Sequence, residues 1–334
     1  MGRNRVLSQS GVVVALLLAS VAPEVRGAQP LAEVIVSVPN RINPWAAEAN
    51  PLPPIERLLG ADQQFWVKVG PPQASLSVSL LEPRGKWPSP RGTVLVLHGV
   101  AACSATMLPA AGALAHAGYR AVLVDLRGWG RSTGKYLTFG LQEAKDLSQV
   151  IDELERRGLV AGNLGVYGIS YGATTSIHVA AADRRVRAVV AVEPFSTARE
   201  EVPHFARVMV PGVGCLISEK TYQQSLDEAG RIAHYDPDEA DAVKAIQRTS
   251  APVLIVHGTN DWIVPHRQSE RLHAAAVDHS ELVSVPCLGH VALWVDPGGH
   301  VAKLSRDWFD RWIGGEGQTQ WQKLREEPDR RGAW

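Results

Sequence analysis

The chain has 334 residues, 45% of them hydrophobic, and its 34 basic side chains balance 34 acidic ones; a domain of this size buries a large core without disulfide or metal staples. A charged fraction of 20% and ten tryptophans exclude collagen-like, coiled-coil and wholly disordered classes. The neutral balance and lack of a basic run give no electrostatic footprint for nucleic acid, so that partner class is set aside.

In chain order, residues 1–27 read as a secretory signal peptide. Arg3 and Arg5 precede the apolar run Gly11 to Ala22, which falls short of the roughly 20 residues a spanning helix needs. Val25-Arg26-Gly27 offers a cut before Ala28, so the expectation is an exported, periplasmic or extracellular protein with no stable membrane span once the signal is removed. A retained N-terminal anchor is the alternative. Without residues 1–27 the 34 basic and 34 acidic groups become 31 and 33, a net charge of −2.

Residues 28–64 carry NPW and NPLPP and read as an irregular leader. Phe65 to Val69 and Leu76 to Leu81 are strand-like, and the alternation of Ser77 and Ser79 in the second predicts a partly exposed antiparallel edge. Thr93 to Leu97, Ala121 to Val124, Leu164 to Tyr167, Val186 to Val192 and Pro252 to Val256 are short apolar runs, the pattern of parallel strands buried on both faces. Glu281 to Val285 reads as the last strand. Amphipathic helices are predicted over Gln142 to Arg157 and Val301 to Ile313. Strands alternating with helices predict an α/β, doubly wound, mostly parallel sheet. Residues 196–250 are too long for a simple connection and are expected to form a cap inserted over the carboxyl edge of the sheet. The main domain is thus placed at residues 65–314, followed by a charged tail, 315–334.

Gly168-Ile169-Ser170-Tyr171-Gly172 lies between an apolar strand and a small-residue stretch. That strand-turn-helix setting is what a nucleophile elbow needs, because flanking glycines allow the sharp turn that exposes a serine hydroxyl above the sheet. The strand ending in His98-Gly99 could turn a backbone N–H toward the serine; with the N–H of Tyr171 it would form an oxyanion hole. His98 itself reads as a structural histidine. A serine elbow is followed along the chain by an acid and then a histidine. Asp261 follows the strand Pro252 to Val256, and His290 follows the last strand, so both fall at carboxyl strand ends, where ligands of open α/β sheets bind. Glu193 is a rival for the acid. Trp129, Trp262 and Trp294 neighbour these loops and either line a pocket or serve as packing. Met209, in the apolar series of the cap, is a candidate pocket wall. Cys103, Cys215 and Cys287 fit neither a zinc nor a disulfide pattern, and Cys287 reads as a buried small apolar side chain. Gly128, Gly130 and Gly134 miss dinucleotide-fingerprint spacing, and Walker A and HExxH motifs are absent from the sequence.

The His98-Gly99 loop, the run Asp125-Leu126-Arg127-Gly128-Trp129-Gly130-Arg131-Ser132, the elbow at Ser170 and the segments of Asp261 and His290 together resemble the α/β-hydrolase superfamily. The resemblance is nearest the dienelactone-hydrolase-like, serine-aminopeptidase-like and monoacylglycerol-lipase-like branch and covers about residues 65–313. It implies Ser170, Asp261 and His290 as the triad, Val100 and Tyr171 as oxyanion donors, and no cofactor or metal. Serine at the nucleophile position disfavours chemistry that depends on a cysteine or aspartate there, and the loop Val100-Ala101-Ala102 lacks the glycine run of many lipases. The expected function is hydrolysis of a carboxylic ester through an acyl-enzyme. A serine peptidase of aminopeptidase-like or prolyl-oligopeptidase-like kind is the alternative, acting on a short peptide, and a non-catalytic binding module comes behind both.

Overall fold

A computed structural model describes residues 28–38 and 60–314. Eight strands, β1 (Gln63–Val69), β2 (Ala74–Leu81), β3 (Gly92–Leu97), β4 (Arg120–Val124), β5 (Asn163–Ile169), β6 (Val186–Val192), β7 (Val253–Gly258) and β8 (Ser280–Val285), form one sheet in the order β1-β2-β4-β3-β5-β6-β7-β8. From β4 to β8 every pairing is parallel, and β1 and β2 are added antiparallel at one side.

The apolar runs are continuous because each strand serves two cores. In β3, Leu95 and Leu97 enter one apolar layer while Val94 and Val96 enter the other. The first layer is closed by α3 (Leu141–Arg156), α4 (Tyr171–Ala182) and α8 (Ala242–Arg248), the second by α2 (Leu108–His116) and α11 (His300–Trp312). Helix α3 presents Leu147, Val150, Ile151 and Leu154, all buried, as the 3.6-residue period requires. Helix α11 lies over Gly165 of β5, where a Cβ would come within 2.6 Å of the Phe309 ring.

Three expectations are corrected, the third that of Cys287 below. Strand β2 is antiparallel but interior, because β1 forms the edge; Ser77 and Ser79 are buried under Gln64, whose side-chain amide reaches both hydroxyls, and Ser132, whose hydroxyl accepts from the Ser77 N–H. Alternating serines therefore mark a polar internal contact and not solvent. The leader is also not irregular throughout: α1 (Ala28–Val36) buries Leu31, Ala32 and Val36. The expected signal at residues 1–27, the two proline motifs and the tail 315–334 lie outside the described residues.

Residues 196–250 contain four helices, α5 (Ala198–Met209), α6 (Pro211–Gly214), α7 (Glu219–Ala233) and the short α8. Helix α7 packs against α1, and α8 against α4. Helix α5 is fastened to the loop after β7, where the His204 ring meets the Trp262 carbonyl at 3.0 Å, and to α9 (Arg267–Ala274) through Glu200, which pairs with Arg267 and Arg271. None of the three cysteines forms a disulfide, and Cys287 is exposed with φ +61°, so it is a turn residue and not the buried side chain expected. No helix among the described residues is long and apolar enough to cross a membrane.

Candidate active site

Strand β5 ends on Ile169, and Ser170 turns at φ +55°, ψ −118° to start α4. That backbone is unfavourable for any residue with a Cβ and persists only where its surroundings impose it. The glycines at either side supply the room. A Cβ on Gly168 would sit 2.2 Å from the Gly172 carbonyl oxygen, and one on Gly172 would sit 2.5 Å from that of Leu97; both are overlaps with backbone. The Ser170 N–H donates to the Val192 carbonyl at 2.8 Å, fixing the turn to the end of β6.

Loops after the neighbouring strands show the same tension. Ala101 after β3, Glu193 after β6 and Cys287 after β8 all have left-handed φ of +55° to +61°, so non-glycine strain gathers at the carboxyl edge of the sheet, as it does at functional sites. The loops after β7 and β8 are pressed together. A Cβ on Gly258 would lie 2.3 Å from the Leu288 carbonyl oxygen, and the Asn260 N–H donates to that oxygen at 2.9 Å.

This clasp brings Asp261 and His290, the first residue of α10 (His290–Val295), into contact. His290 Nδ1 lies 2.7 Å from Asp261 Oδ2, the geometry of a ring N–H donating to a carboxylate, which leaves Nε2 for the nucleophile side. Asp261 Oδ1 accepts from the N–H groups of Ile263 and Val264 at 2.8 and 2.9 Å. Burial opposes the Asp261 charge, but bonds from the rings of His257 and His290 and from backbone N–H groups outweigh it and hold the carboxyl well below the usual carboxylate range. His257 Nε2 lies 3.3 Å from Asp261 Oδ2; its position at the end of β7, before Gly258, was the signal that could have found it. Glu193 Oε2 stands 3.2 Å from His290 Nδ1. Glu193 is fully buried, and burial followed by the Asp261 charge pushes its carboxyl up to about 10.

On the oxyanion side, Gly99 lies against Ser170, with room for a Cβ at 3.4 Å from that of the serine. Tyr171 is the first residue of α4, where a backbone N–H has no intrahelical acceptor; Val100 is half-buried in the loop after β3. His98 is structural, since its Nε2 accepts from the Leu126 N–H at 3.0 Å and its Nδ1 meets the Gly99 carbonyl at 2.8 Å. With both nitrogens so used, burial lowers it to about 4 and it stays neutral. Asp125 accepts from the N–H groups of Ser104 and Arg131, and Arg127 forms a buried pair with Asp146 at 2.6 Å. The Asp125 to Ser132 run is thus a brace for the oxyanion loop.

The four pocket candidates are scattered. Trp129 is buried with its ring edge toward His98. Trp262 is 60% exposed, next to Asp261. Trp294 is half-buried on the second apolar layer, and Met209 is half-buried at the end of α5.

Residues 75–235 match the family model for X-Pro dipeptidyl-peptidase (S15 family). The uncharacterised protein YfhR of Escherichia coli (strain K12) is 26% identical over 212 residues, 63% of this chain and 66% of that protein. An uncharacterised protein of Mycobacterium tuberculosis (strain CDC 1551) is 30% identical over 206 residues, 59% of this chain and 62% of that one. The chain therefore spans slightly less than two thirds of the length of either relative. Among solved structures, an esterase of Pyrococcus furiosus superposes with a TM-score of 0.58 at 20% identity, covering 77% of this chain and 95% of that one. The α/β hydrolase GrgF of a Penicillium species does so at 0.59 and 19%, covering 75% and 99%. Strand order, elbow and this shared architecture agree: the chain has the α/β-hydrolase fold.

Proposed function

We propose that the protein is a serine hydrolase that cleaves carboxylic esters through an acyl-enzyme. The observation that carries this reading is the strained elbow at Ser170 on the same sheet edge as a part-buried ring-to-carboxylate pair, His290 and Asp261, 2.7 Å apart. His290 Nε2 takes the Ser170 proton as Oγ attacks the ester carbonyl, and the N–H groups of Val100 and Tyr171 stabilise the negative charge that appears on its oxygen. Asp261 holds the ring and its positive charge while His290 returns the proton to the leaving alcohol; water then reverses the sequence on the acyl-enzyme. Oxyanion donors act on charge present only in the tetrahedral intermediate, and one such donor is worth about 10² to 10³ in rate.

The family match makes X-Pro peptide cleavage the second reading. Capture of a peptide amino terminus calls for an uncommitted carboxylate. The two acids of α5, Glu200 and Glu201, are engaged by Arg267 and Arg271 and by Gln268 respectively, which favours an ester. The apolar run at residues 11–22 supports export.

Fluorophosphonate labelling of wild type, absent in Ser170→Ala, tests the nucleophile; p-nitrophenyl esters set against X-Pro p-nitroanilides test the substrate. Label retained in Ser170→Ala overturns the mechanism, and anilide turnover exceeding ester turnover overturns the ester reading. N-terminal sequencing of envelope or secreted protein should begin near Ala28, and a cytoplasmic full-length chain would contradict export.

A further inference from the structure

The buried Glu193 carboxyl is unused by the triad just described, yet it lies inside it. One oxygen from each of Glu193 and Asp261 and a ring nitrogen of His290 all lie within 4.8 Å of one another. The two carboxyls are unequally served. Asp261 has two backbone N–H donors on Oδ1 and the His290 ring on Oδ2; neither oxygen of Glu193 has a hydrogen-bond partner of ordinary geometry. Two carboxyls this close in a buried site do not both ionise, and the shared proton goes to the one with fewer donors. An ionised Glu193 would be a buried charge helped only by the Gly258 N–H and by the His290 ring it shares with Asp261, whereas a neutral one has an O–H to give, and the Asp261 carboxylate is an acceptor in reach.

The loop geometry points the same way. Glu193 adopts φ +55° immediately before Pro194, where the following ring restricts the backbone further, and its N–H is tied to the Val256 carbonyl at 2.8 Å. The chain thus holds a strained residue in a fixed place at the carboxyl end of β6, between the strands that carry Ser170 and Asp261. The other titratable groups facing the pair are His257 of β7, Tyr167 of β5 and Glu201 of α5.

We propose that Glu193 is a positioning residue: its neutral carboxyl donates to the Asp261 carboxylate and holds it, and through it the His290 ring, in the orientation the nucleophile needs. The inference rests on the serine-hydrolase reading for its kinetic consequence, and on geometry alone for the location of the proton.

Two variants and one spectrum test it. In Glu193→Gln the amide N–H replaces the O–H, so kcat should stay within about threefold of wild type and the acid limb of the kcat/KM profile should not move. In Glu193→Ala the donor is lost, and kcat should fall about tenfold, the equivalent of one hydrogen bond, with KM little changed. The acid limb should then move to higher pH, because a less well-satisfied Asp261 attracts a proton onto the ring more strongly. If Glu193 is ionised instead, both variants remove a negative charge and move the acid limb to lower pH, which overturns the proposal. Lower melting temperatures with unchanged kcat and pH profile in both variants overturn it as well. The wild-type minus Glu193→Gln infrared difference spectrum should show a protonated-carboxyl C=O band at neutral pH, and its absence overturns the proposal whatever the activity. A protein that shows the band but hydrolyses neither esters nor peptides would uphold the proton on Glu193 and sink the hydrolase reading.

Discussion

At the scale of single residues the site depends on backbone fit as much as on side-chain chemistry. Gly172→Ala puts a methyl group against the Leu97 and His98 carbonyl oxygens, so the elbow must open; the expected outcome is loss of fluorophosphonate labelling together with a lower melting temperature. Asp261→Asn leaves the shape but reverses the preferred ring tautomer, and the rate should fall by something near 10⁴-fold. If that variant were nearly silent and Glu193→Gln were crippling, the acid would have been misassigned. The positions of Ser170, Asp261 and His290 after successive strands were legible, and so was their chain order, that of an elbow hydrolase. The part Glu193 plays was not legible. Two carboxyls in one sequence look alike until burial and unequal donors separate them.

At the scale of elements, the parallel core was readable because a strand covered on both faces leaves an unbroken apolar run, as in β3 and β4. The alternating serines of β2 imitate a solvent-facing edge, and only the placement of Gln64 and Ser132 shows that they face a polar interior. Helix α1 was missed because it lies between an apolar run and proline-rich sequence, and nine residues make a weak helical signal on their own. Two elements give predictions. Gly165→Ala forces a methyl against Phe309 and Ile313 of the α11 segment, so overpacking should cost about 1–3 kcal/mol in denaturant unfolding, with the elbow still labelled. At the end of α5, Met209→Ala should redistribute kcat/KM among esters of different acyl length if that helix end walls the pocket, by about 1 kcal/mol or more per lost methylene contact. Uniform losses for all chain lengths would place Met209 in packing alone.

For the whole molecule, stability should respond to acid in a defined window. His98 and His178 are fully buried and lowered to about 4, chiefly by burial. An unfolded histidine takes up a proton near pH 6.5. Between that pH and about 4 the unfolded chain binds protons that these folded rings refuse, so their contribution is complete above pH 6.5 and drains away as pH falls through 4, by roughly 3 kcal/mol for each ring. His178 has a ring nitrogen without a partner. His178→Leu should therefore match or exceed wild-type stability at neutral pH and lose less of it between pH 6.5 and 4, as measured by urea midpoints; an unchanged acid slope would show that the ring titrates normally. The fastening of residues 196–250 carries a further consequence. Helix α7 is clasped by α1, α8 by α4, and α5 by the loop after β7 and by α9. Anchored on three sides, this segment is a fixed part of the fold and not a swinging door. If it roofs Ser170 as a cap, a substrate is admitted by shape, and turnover should track the girth of the acyl and alcohol groups and not the pace of any lid.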